Sequence, residues 1–124
     1  MSQQYIYQFG PGPRSDLPTD PDAWTIEDEQ VGADHFAYLK QATEDGVVIL
    51  AGRSQDGIGP AIVIFQADSE EAARQFMEED PFVSVGLFTA TLHRFTAAFR
   101  GAPQDQGERG LNPWTRGSSG GRQR

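Results

Sequence analysis

The chain contains no cysteine and a single lysine. Without thiols, disulfides, thiolate metal sites and cysteine nucleophiles are all excluded. Long apolar runs are missing as well. No stretch approaches the roughly 20 residues needed to cross a bilayer, and no N-terminal apolar run resembles a signal peptide. The expected compartment is the cytoplasm, and a membrane is not an expected partner. Basic residues are scarce over most of the chain: from Met1 to Phe99, Arg14, Lys40, Arg53, Arg74 and Arg94 face sixteen acidic side chains. Such a surface repels a phosphate backbone, so nucleic acid is not an expected partner either. The two histidines, His35 and His93, are far apart and have no acidic ligand at a recognised spacing. No metal site is expected. No nucleophile-elbow motif surrounds a serine, and Gly10-Pro11-Gly12 opens no helix as a phosphate loop would. The reading is cofactor-free.

What is present suits one domain of about a hundred residues, enough to bury a core and fold alone. Residues 1–99 form this domain. Residues 100–124 are rich in Gly, Gln, Ser and Arg, with five arginines against Asp105 and Glu108. A segment so poor in apolar side chains cannot offset its ordering entropy and is expected to be a flexible tail. Trp114 is its one candidate anchor.

Gln3 to Phe9 alternates, with Tyr5, Tyr7 and Phe9 on one face, and reads as a half-buried strand. The loop Gly10 to Asp22 is long for a compact domain, and loops of that kind often cover sites. Thr25 followed by Asp28 marks a helix start. The helix runs to about Asp45, with Gly46 closing it and Val31, His35, Tyr38, Leu39 and Ala42 as its inward stripe. Val47 to Gly52 is a continuous apolar run, read as a strand covered on both faces. Ala61 to Ala67 is the next strand. Asp68 or Ser69 caps a second helix whose apolar face is Ala72, Ala73, Phe76 and Met77, and Leu87 to Phe99 is the last strand.

This order, β-α-β-β-α-β, is the split βαβ or ferredoxin-like arrangement: an α+β fold with a four-stranded antiparallel sheet and both helices on one face. One helical layer cannot cover the second apolar face of the sheet. The uncovered face predicts a partner, most simply a second copy of the chain.

Two readings compete for Asp80. An Asp directly before Pro suits the N-cap of a new helical turn, Pro81 to Val85, with Phe82 and Val85 plugging the core. The same carboxylate could instead orient His35, which lies on an otherwise apolar stripe. A carboxylate on one imidazole nitrogen fixes the tautomer and raises basicity, leaving the other nitrogen to move a proton. Asp34 is the neighbour in sequence, but adjacent helix residues point apart.

Several stretches resemble the YciI-like family, the YCII-related domain. They are Asp34-His35-Phe36-Ala37-Tyr38-Leu39, Gly46, Ala51-Gly52-Arg53, Ser69-Glu70-Glu71-Ala72-Ala73-Arg74, and Asp80-Pro81-Phe82 followed by Gly86-Leu87. The similarity runs from Trp24 to about Phe99, with the loop Gly10 to Asp22 and the tail outside it. It implies a ferredoxin-like protomer that pairs sheet to sheet into a dimeric α+β barrel. It also implies a site made of a His and an Asp, which fall on His35 and Asp80.

On this reading the chain is a small cofactor-independent protein acting on a small cyclic or aromatic metabolite by acid/base chemistry of isomerase or lyase type. His35 and Asp80 are the catalytic candidates. Arg53, at a strand end, and Tyr7 are the candidates for binding substrate, Tyr7 having a core role as its competing reading. His93 is assigned to the surface or an interface. The alternative class is a non-catalytic dimeric ligand-binding or accessory protein.

Overall fold

The computed structural model describes residues 2–101. Strand β1 (Gln3–Gly10) is followed by the loop and a short 3-10 turn, Pro21–Ala23. Helix α1 (Ile26–Glu44), strands β2 (Val48–Arg53) and β3 (Ala61–Ala67), helices α2 (Glu70–Glu79) and α3 (Pro81–Ser84), and strand β4 (Thr89–Arg94) complete the order. The strands form one antiparallel sheet, β2-β3-β1-β4. The fold is therefore α+β.

The caps explain the boundaries. Thr25 and Asp28 exchange hydrogen bonds as a capping box at the start of α1. Gly46, at φ +81°, turns the chain out of it. Ser69 caps α2 by accepting from Ala72 N–H. Buried positions on α1 are Asp28, Gly32, His35, Leu39 and Ala42, while Val31 and Tyr38 are only half-buried. On α2, Ala73 and Met77 are buried and Ala72 faces solvent. These helices pack on the sheet face that carries Tyr5, Tyr7, Val63 and Phe65.

Three expectations are corrected. Within the single chain, strand β2 is covered on one face only, since one helical layer lies on the sheet, and on the other face its Leu50 is 59% exposed. Val85 does not plug the core. It closes the single turn of α3 and is 61% exposed, leaving Phe82 alone to point inward. Strand β4 ends at Arg94 rather than Phe99 because its partner runs out: Arg94 already sits opposite Tyr5, and Phe95 N–H bonds Gln4. Of the tail, residues 102–124, Trp114 included, lie outside the described residues.

The loop after β1 is tied down at both ends of its path. Arg14 forks onto Asp28, with Nη1 and Nη2 at 3.0 and 2.6 Å from the two carboxylate oxygens, and also bonds the Ala23 carbonyl. Trp24 donates from its indole to the Leu17 carbonyl, and Leu17 is buried. Where the loop meets the β2–β3 hairpin, Gly57 has φ +75° and a β-carbon there would run into the Pro18 carbonyl.

The Arg14 fork, opposed by burial and helped by the Thr25 N–H, holds the Asp28 carboxyl below the usual 3.8, at about 2. A carboxyl depressed on folding contributes stability that is present above its unfolded pKa and is lost as pH falls through the folded one. Asp28→Asn should therefore lower the urea midpoint at neutral pH, and the difference from wild type should shrink as pH drops from 3.8 towards 2. A gap between the two proteins that stays constant over that window would show that the pair does not stabilise the loop.

Candidate active site

Asp80 stands between α2 and α3. As the N-cap of α3, with Pro81 next, it accepts the Phe82 N–H on Oδ1 at 3.0 Å. The same oxygen lies 2.7 Å from His35 Nδ1, and Oδ2 accepts the Tyr7 hydroxyl at 2.8 Å. The cap and the contact with His35 are thus compatible, because one oxygen serves both. His35, Asp80 and Tyr7 are each 0% exposed.

The surroundings are a donor set matched to a carboxylate, with groups from β1, α1 and α3 arriving on its two oxygens. A carboxylate accepts only, so the arrangement calls for a hydrogen on Nδ1 of His35 and leaves Nε2 as the nitrogen through which the ring could exchange a proton. Tyr7 is the donor to Oδ2. Burial first, then the charge and hydrogen bond of Asp80, push its hydroxyl far above the ordinary phenol range.

Aromatic rings enclose the pair. The imidazole stacks on Phe82 with centroids 4.0 Å apart and planes at 19°, and Phe9 meets it edge-on at 5.7 Å. Tyr7 packs against Phe9, Phe65 and Phe76.

Beside this cluster lies a cavity of about 320 Å³. Its walls include Phe9, Phe82, Trp24 and Phe88, with Leu17 from the loop and Arg53 from the end of β2. The register places Arg53 opposite Ala61 and Ala51 opposite Val63, so Arg53 shares the helix-covered face with Tyr7. It is half-buried, and burial draws its pKa down.

The structure therefore brings His35, Asp80 and Tyr7 together and sets Arg53 apart, in the cavity wall. His35, Asp80 and Tyr7 do not line that cavity. Tyr7 is a core residue whose hydroxyl is committed to Asp80. Phe9 and Phe82 touch both the imidazole and the cavity. His93 is exposed and pairs with Ile6 on the opposite sheet face. Among the described residues, no group of three or more His, Asp or Glu side chains is placed to hold a metal ion. No described helix is long and apolar enough to cross a membrane.

Sequence reading missed the cavity walls Leu17, Trp24 and Phe88. The signal available was a tryptophan directly before a helix cap, at the end of a long proline-bearing loop.

The model of the YCII-related domain matches residues 17–93. That is more than half of the chain, and the protein belongs to this family. The matched span begins at Leu17, so the second half of the loop falls within the shared pattern rather than outside it. No curated protein matches the chain.

If Asp80 were a cap alone, Asp80→Ala would cost about 1 kcal/mol. Removing an acceptor that serves three buried donors should instead cost about 3–5 kcal/mol, and Asp80→Asn, which still caps, should cost less. Tyr7→Phe should cost about 1.5–3 kcal/mol, the value of a hydrogen bond to a charged group. Urea unfolding of the three variants separates these cases, and an Asp80→Ala loss no larger than a cap's would dismiss the network.

Proposed function

We propose that this protein is a cofactor-independent acid/base enzyme of isomerase or lyase type that acts on a small cyclic or aromatic metabolite. His35 moves the proton, Asp80 orients it, and Arg53 receives an acidic group of the substrate. The observation that carries this reading is the 2.7 Å contact between His35 Nδ1 and the Asp80 carboxylate, one aromatic ring away from a cavity with a cation in its wall. A positioned imidazole of this kind contributes to proton transfer at carbon without a metal or coenzyme.

The proposal includes the assembly. The strand order β2-β3-β1-β4 with helices on one face supports a ferredoxin-like protomer. Leu50, Ile62 and Ile64 share the other face with Ile6 and stay half-buried or exposed. These apolar side chains, left open by the single helical layer, support pairing of two copies face to face into a barrel, in the cytoplasm.

A second reading is a non-catalytic ligand-binding protein. The complete burial of His35, and its absence from the cavity wall, favour it.

Light scattering on dilute protein should give twice the chain mass, and an ordered monomer would overturn the barrel. Thermal-shift screening of small acids, lactones and phenols should find a stabilising ligand. In deuterated buffer the wild type should then exchange a carbon-bound hydrogen of that ligand, and His35→Gln should slow this about 10²–10⁴-fold while still binding. Binding without any exchange in the wild type would establish the second reading.

A further inference from the structure

Phe82 is the residue the dyad and the cavity have in common. One face of its ring lies on the His35 imidazole, and the side chain also forms part of the cavity wall. Its backbone is fixed from both sides. The N–H is held by Asp80 Oδ1, and the carbonyl accepts from Phe88 N–H. Only the side chain can turn, and the cavity of about 320 Å³ beside it is larger than a phenyl ring. The ring therefore has a neighbouring space to enter, past the edges of Phe9, Trp24 and Phe88 that pack against it. While it stays in place, His35 is 0% exposed.

We infer that the cavity and the His35–Asp80 pair are one site divided by the ring of Phe82, and that the ligand admitted when this ring turns aside is a planar cyclic anion. The class follows from what the site loses and what it offers. Turning Phe82 away strips the imidazole of its stacked face, and a flat ring restores that contact where a chain or a branched group does not. Phe9, Trp24 and Phe88 present further aromatic surface to such a ring. Arg53 in the same wall matches a carboxylate bidentately and a phenolate through its single oxygen. Arg53 is the cation of this wall and selects an anion there; the acidic side chain in the same wall, Asp56, has Oδ1 held by the Ile58 and Gly59 N–H groups. Phe82 then sets ligand size, since a molecule that cannot occupy the space of its ring does not reach Nε2.

The inference deepens the acid/base reading and rests on it for its consequence, but its test requires no turnover. Diethyl pyrocarbonate labels exposed imidazoles, and trypsin places His35 and His93 on separate peptides, between Arg14 and Lys40 and between Arg74 and Arg94. In the native protein His93 should label readily and His35 slowly. Phe82→Leu should raise the His35 rate about tenfold or more by making the opened state common, with the His93 rate unchanged. Benzoate should slow His35 labelling in that variant, and Arg53→Gln should remove the protection. Should Phe82→Leu not fold, the native protein decides. Its His35 ring signals should shift saturably with benzoate and those of His93 should not, whereas cyclohexane-methanol, which is neither flat nor charged, should leave both unmoved. A His35 rate equal to that of His93 in wild type, no acceleration in Phe82→Leu, or no saturable benzoate shift overturns the inference. Confirmed labelling and benzoate binding, with no proton exchange on any ligand, would leave the divided site standing and remove the enzymatic reading alone.

Discussion

Three parts of the chain that are distant in sequence converge on one buried carboxylate. Tyr7 from β1 and the Phe82 N–H from α3 donate to Asp80, and His35 Nδ1 from α1 meets it at 2.7 Å. A charge taken out of water is tolerated only when its oxygens are satisfied, because desolvation costs several kcal/mol that the interior must return through hydrogen bonds. Asp80 meets that condition only when the strand, the long helix and the short helix are all in place. The requirement makes the carboxylate a register mark. A slip of one residue in β1 would send Tyr7 to the other sheet face, and a quarter-turn of α1 would take His35 out of reach.

Apolar burial supplies the bulk of the stability around this mark. Tyr5, Tyr7, Val63 and Phe65 on the sheet meet Leu39, Ala42, Ala73, Met77 and Phe82 from the helices. Such packing is largely non-directional, and alone it would accept several alignments. The polar network selects one. It also explains why the short helix α3 exists: four residues have little intrinsic helical stability, and the cap that starts them is the carboxylate that also holds His35.

Much of this was legible in the sequence, and the residues show why. Thr25 with Asp28, Ser69, and Asp80 before Pro81 are local cap signals, and local chemistry set the helix starts where these signals stand. Alternation in Gln3 to Phe9 gave the buried face of β1. Family resemblance pointed to His35 and Asp80 as a pair, and geometry joins them. The Tyr7–Asp80 bond was not legible, since 73 residues separate its ends and nothing in either neighbourhood announces it. The apolar run of β2 was misread for a related reason. Its composition suits a strand covered on both sides, but one chain supplies one helical layer, and the face that carries Leu50 stays open within it. The cavity was hidden because its wall is assembled from a loop, a hairpin, a strand end and α3, pieces whose proximity only the folded chain decides.

The acceptors that Asp80 presents call for the hydrogen of His35 on Nδ1. Nitrogen-resolved NMR of the imidazole in the native protein at neutral pH reads this directly. The expected result is a hydrogen on Nδ1, hydrogen-bonded and slow to exchange with solvent, whose signal moves when Asp80 is replaced by Asn. A His35 ring that carries its only hydrogen on Nε2, with bare Nδ1 facing Asp80 and the same spectrum in Asp80→Asn, would contradict it.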